Sequence, residues 1–139
     1  MDPILHLSLP VHDLAAARAF YVDVLGCEPG RAREGWIDVW FYGMQVTLHH
    51  EPEHVHPDEQ RGSRHFGVTL SADELDAVLK RLETRTVVWV RPVATEYAGT
   101  QREQTKAMLL EPSGNAIELK TYADPAAAFE TRLDARQVT

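Results

Sequence analysis

Gly114-Asn115-Ala116-Ile117-Glu118-Leu119 has a counterpart earlier in the chain, Gly43-Met44-Gln45-Val46-Thr47-Leu48, and reading the two together decides the fold. Each block is glycine-led and runs into a β-prone segment, so Thr47 and Glu118 occupy equivalent places. A second pair lies upstream of each: His6-Leu7-Ser8-Leu9 and His65-Phe66-Gly67-Val68, both short histidine-bearing strands that lead into an amphipathic helix. The chain therefore repeats one unit of strand, helix and strand run. Two such units, paired about a pseudo-twofold axis, would set curved sheets around a cleft.

The remaining elements fit this division. Ile4 to Val11 reads as a strand. Asp13 can cap a helix in which Leu14, Ala17, Tyr21, Val24 and Leu25 recur at helical spacing, with Gly26 as a left-handed stop. Trp36 to Tyr42 and Gln45 to His50 read as a hairpin around Gly43-Met44. Residues 51 to 63 are rich in Pro, His, Glu, Asp, Arg and Gly, with little to bury, and form a loop or linker. Beyond it, His65 to Leu70 is a strand, Ser71-Ala72-Asp73-Glu74 is a capping box, and Leu75, Val78, Leu79 and Leu82 form a buried helical stripe. Thr86 to Val90, Lys106 to Leu110 and Ala116 to Thr121 read as strands, the last two joined by a turn over Glu111-Pro112-Ser113-Gly114-Asn115. Asp124-Pro125 can open a last short helix, Ala126 to Leu133, followed by a loose tail. The expectation is one α+β domain over residues 1–139: module one about 4–50, linker 51–63, module two about 64–122, helix and tail 123–139.

Composition narrows the function. With 14 Lys and Arg against 21 Asp and Glu, the 139-residue chain carries a net charge of −7, which disfavours nucleic acid and anionic membrane surfaces. Small molecules remain as partners. One cysteine, Cys27, permits no intrachain disulfide or thiolate-based zinc site, and no segment has the length and apolarity of a membrane span, so a cytoplasmic location is expected. No phosphate-binding glycine loop is present.

Seven histidines are many for this length, but the repeat selects two of them. His6, Thr47, His65 and Glu118 are the four repeat-equivalent positions around the expected cleft. Singly, a strand histidine is usually a core or surface residue, and Glu118 in an Ile-Glu-Leu run would suit an exposed edge position. Their coincidence in a repeat found without regard to ligands favours metal binding by His6, His65 and Glu118. Two imidazoles and a carboxylate leave coordination positions open, as in non-haem Fe(II) oxygenases. The cofactor expected is a divalent metal ion, Fe(II) first, with Mn²⁺, Ni²⁺ and Zn²⁺ also able to use such a set.

Strand parity adds neighbours. His49, two residues past Thr47, and Tyr122, four past Glu118, are candidates for proton transfer and for donation to a bound oxygen. Thr47, Trp40, Arg102 and Gln104 are candidates for substrate contact, Arg102 and Gln104 from a polar loop before a strand. His12, His50, His54 and His56 lack a rigid scaffold and read as solvated.

Ile4-Leu5-His6-Leu7-Ser8-Leu9-Pro10-Val11, Ala19-Phe20-Tyr21, Val24-Leu25-Gly26, Arg64-His65-Phe66-Gly67-Val68 and Glu111-Pro112-Ser113-Gly114-Asn115-Ala116-Ile117-Glu118-Leu119 together resemble the vicinal oxygen chelate superfamily. That group includes glyoxalases, extradiol dioxygenases and bleomycin- and fosfomycin-resistance proteins. The resemblance spans about residues 4–122 and implies paired βαβββ modules, hence one more strand near residues 28 to 33, and a homodimer. It also implies His6, His65 and Glu118 as ligands. Thr47 departs from the glyoxalase I pattern, in which a carboxylate at this place serves as fourth ligand and base. Three ligands match the extradiol dioxygenases. The function expected is thus an extradiol-type dioxygenase acting on a bidentate oxygen substrate, with a glyoxalase-like lyase or isomerase, or a non-catalytic drug-binding protein, as alternatives.

Overall fold

A computed structural model of the chain describes residues 1–130. The strands are β1 (His6–Val11), β2 (Glu28–Arg33), β3 (Trp36–Phe41), β4 (Met44–His50), β5 (Phe66–Thr69), β6 (Val88–Glu96), β7 (Gln104–Leu110) and β8 (Ala116–Tyr122). The helices are α1 (Leu14–Arg18) and α2 (Ala72–Glu83). Two four-stranded sheets result, ordered β1-β4-β3-β2 and β5-β8-β7-β6, each with one parallel pair, β1 with β4 and β5 with β8. The repeat read from the sequence is therefore the architecture, α+β with two βαβββ modules. No helix among the described residues is long and apolar enough to cross a membrane.

Local chemistry explains the elements. Asp13 caps α1 by accepting from the Ala16 amide, and Ser71 and Glu74 close a reciprocal capping box on α2. Loss of the Ser71 hydroxyl strands one helix amide, so Ser71→Ala should lower unfolding free energy by about 1 kcal/mol in urea titrations at unchanged slope. The first helix does not run on as α-helix to Leu25, as its spacing suggests. From Ala19 to Val24 it widens to a π-helical turn, with the Leu25 amide bonded to the Phe20 carbonyl. The wider turn buries the adjacent side chains Phe20 and Tyr21 together, edge to face at 5.4 Å.

Other boundaries shift for identifiable reasons. The hairpin turns on Tyr42-Gly43, both at positive φ, rather than on Gly43-Met44. The strand read over Thr86 to Val90 is the start of the longer β6, whose pairing with β7 is irregular between Trp89 and Ala94, around Pro92. Proline is tolerated there because β6 is an edge strand. The sequence-derived final helix is a single 3₁₀ segment, Pro125–Phe129, capped by Asp124; its extension to Leu133 and the tail lie outside the described residues.

Ile37, Val39, Phe41, Val46 and Leu48 from one face of the first sheet join Leu109, Ile117 and Leu119 from one face of the second in a common core with Tyr21, Leu75, Val78 and Leu82. Phe41 meets Phe66 edge to face across the modules at 5.3 Å, and Arg81 of α2 donates to the Val24 and Asp23 carbonyls. By strand alternation, the opposite face of each sheet lies outside this core. Those outer faces carry the candidate site residues other than Arg102, which lies in a turn.

Candidate metal centre

In module two, parallel pairing sets Gly67 of β5 beside Glu118 of β8. The approach is so close that a Cβ on Gly67 would fall 1.9 Å from the Glu118 carbonyl oxygen, so glycine is required. His65, entering β5, places its Nε2 3.8 Å from Glu118 Oε2. Its Nδ1 lies 2.7 Å from the Ser63 carbonyl oxygen. A carbonyl only accepts, so Nδ1 carries a proton, and in the neutral imidazole the Nε2 lone pair faces Glu118. This is the tautomer and orienting hydrogen bond of a metal-binding histidine. Lys120 Nζ is 3.5 Å from the other carboxylate oxygen of Glu118 and 5.5 Å from the centre of the Tyr122 ring.

In module one, His6 on β1 has its Nε2 3.3 Å from Ser8 Oγ. The β3–β4 register places Asp38 opposite Thr47, Trp36 opposite His49 and Trp40 opposite Gln45, all on the outer face. Asp38 is buried, at 3% exposure, and accepts from Thr47 Oγ1 at 2.7 Å, Arg31 Nε at 2.7 Å and Gln45 Nε2 at 3.4 Å. Desolvation alone would raise its pKa. The hydrogen bonds from Thr47 and Arg31, with the charges of Arg31 and His6, outweigh it and hold the carboxyl below its ordinary range.

The structure thus joins His65 with Glu118 and leaves His6 on the other sheet. Among the described residues no three His, Cys, Asp or Glu side chains come together around a point that could hold a metal ion. Thr47 is buried with its hydroxyl proton given to Asp38. Trp40 and His49 are half-buried on the same face. Tyr122 is on the outer face of the second sheet, paired with Gln104. Gln104 is therefore a strand residue of β7 and not part of the preceding loop, whereas Arg102 stays in an exposed turn. Asp38 and Arg31 escaped the sequence reading. The signal for Asp38 was a lone carboxylate inside Trp36-Ile37-Asp38-Val39-Trp40; for Arg31, bulged into reach of it, there was none.

The chain belongs to the Glyoxalase/Bleomycin resistance protein/Dioxygenase superfamily, which it matches over residues 3–119. It is similar to a solved glyoxalase/bleomycin resistance protein/dioxygenase from Alicyclobacillus acidocaldarius, with 28% identity, a TM-score of 0.81, and 91% of this chain and 96% of that one covered. The fosfomycin resistance protein FosX from Listeria monocytogenes shares the fold at 16% identity and a TM-score of 0.69, with 87% and 93% covered. An integron cassette protein from the Halifax Harbour sewage metagenome does so at 22% identity and 0.65, with 87% and 99% covered. No curated protein matches the chain.

Proposed function

We propose that the protein is a metal-dependent enzyme whose centre joins His6 of one copy with His65 and Glu118 of a second, and that it works as an extradiol-type dioxygenase on an aromatic vicinal diol. The observation that carries the proposal is the His65–Glu118 pair, with Nε2 on the side of the carboxylate and Nδ1 held by the Ser63 carbonyl. Both residues suit a borderline divalent ion such as Fe(II), Mn(II), Ni(II) or Zn(II), and Fe(II) is the one the proposed oxygenation calls for. Bound there, the ion would supply Lewis acidity and open positions for two substrate oxygens and O₂.

The packing supports completion by a second copy. The modules share a core through one face of each sheet, so His6 and Glu118 lie on outer faces of different sheets. Strands β1 and β5 are both sheet edges with a single neighbour. A second copy can set its β5 edge beside β1 and bring an outer face of each kind around one cleft, in a twofold dimer with two equal sites.

Three ligands, and no fourth, favour ring-cleaving oxygenation over the glyoxalase reaction. Thr47 stands where that reaction needs a carboxylate, and the nearby Asp38 is a poor replacement. Its low pKa and three donors leave it little basicity. Proton movement falls instead to the His49 imidazole from one module and the Tyr122 phenol from the other, whose ring lies 5.5 Å from Lys120 Nζ.

Anaerobic reconstitution with Fe(II), followed by metal analysis and oxygen-electrode measurements with catechol, tests the proposal. One iron per chain and catechol-dependent O₂ uptake are expected. Stoichiometric nickel or zinc without O₂ uptake would redirect the reading to an isomerase or lyase, and failure to bind any of these metals would overturn the centre.

A further inference from the structure

The pairing of β2 with β3 slips between Pro29 and Ala32, and in that bulge Gly30 lies against Asp38. A Cβ on Gly30 would stand 2.8 Å from the Asp38 Cβ, so the close approach depends on glycine. Bulges re-aim side chains, and this one sends Arg31 across the outer face of the first sheet. Its Nε donates to Asp38 at 2.7 Å, and its guanidinium lies 5.1 Å from the centre of the Trp36 ring. Asp38 is itself fixed by Thr47 and Gln45.

A guanidinium has donors on two edges. The Nε of Arg31 is engaged by Asp38, whereas its terminal nitrogens donate to no described residue, and the side chain is 61% exposed. The free edge is thus held in a set orientation beside Trp36, on the face that carries His6 and Trp40. We propose that Arg31 recognises an oxyanion on the substrate, so that the cleft takes a flat aromatic molecule bearing a carboxylate, phosphonate or phosphate. The inference rests on the outer face being the wall of the proposed active site. At −7 the chain as a whole does not attract anions, so recognition has to come from a local, directed, two-point contact of the kind arginine makes with oxyanions.

Trp36, 5.1 Å from the guanidinium, and Trp40, on the same face of β3, report on binding by fluorescence. Metal-free protein titrated with benzoate should show saturable quenching, with an affinity about tenfold or more above that for the neutral analogue benzamide. Arg31→Gln should lose that margin, and Arg31→Lys should not restore it, because an ammonium has no second edge to offer once it meets Asp38. Equal binding of benzoate and benzamide, no benzoate response, or unchanged affinity in folded Arg31→Gln or Arg31→Lys protein would overturn the proposal. Since the titration uses no metal, its outcome is separate from that of iron reconstitution.

Discussion

Neither His6→Ala nor Glu118→Ala protein should retain metal, yet the two variants unfolded together in equal amounts and refolded should regain about a quarter of the wild-type sites, as random twofold pairing requires. Half of the dimers would then be mixed. In each mixed dimer one site combines both lesions, and the other combines the intact His6 of the Glu118→Ala chain with the intact Glu118 of the His6→Ala chain. The control follows from the same geometry. His65→Ala mixed with Glu118→Ala should regain nothing, because His65 and Glu118 come from the same module and face each other within one chain. Metal content after desalting is the measurement. No recovery with the first mixture would show that the site does not cross between copies, and metal retained by Glu118→Ala alone would refute the ligand assignment. Folding is not at stake, since the Glu118 side chain lies on the outer face while its neighbours Ile117 and Leu119 fill the core.

The sequence made the repeat legible because both modules spend strong local signals on the same tasks: a capping side chain at each helix start, glycine-led strands, and core residues at period two or 3.6. His65 and Glu118 were readable for the same reason, sitting at matched places in matched strands. Strand β2 was not readable from its own residues. Glu28-Pro29-Gly30-Arg31-Ala32-Arg33 is an edge strand exposed throughout, so no face of it alternates, and a bulge breaks its register. Only family resemblance called for it. The contact between Arg31 and Asp38 is a product of that bulge, and propensity carries no trace of it. Module pairing was hidden for another reason: a shared core looks the same in sequence whether the cleft closes within one chain or between two.

Between pH 5 and pH 8.5 the wild-type protein should lose on the order of 3 kcal/mol of stability through Glu111 alone, and Glu111→Gln should remove most of that slope. Glu111 is 2% exposed. Its Oε1 accepts from the Ser113 amide at 2.7 Å, the Asn115 amide at 2.8 Å and the Asn115 side chain at 3.1 Å. That turn ties the modules together, for Ser113 Oγ accepts from the His12 amide at the end of β1. The other oxygen, Oε2, is buried without a hydrogen-bond partner among the described residues. Burial pushes the Glu111 pKa up to about 7, against three hydrogen bonds that lower it. The Tyr21 phenol is raised well above its usual value, first by burial and then by the charge of Glu111. A carboxyl whose folded pKa exceeds its unfolded value contributes its full stability below the unfolded value, near 4.5, and loses it as pH rises through about 7. Above neutrality the fold must therefore hold a buried carboxylate with three hydrogen-bond donors and no cationic partner among the described residues. Glutamine keeps an acceptor for the three donors and never ionises. Urea midpoints of the two proteins measured across this range should diverge with rising pH, the wild type falling and the variant staying nearly level. Parallel curves would mean that water or a rearranged turn already solvates the Glu111 carboxylate.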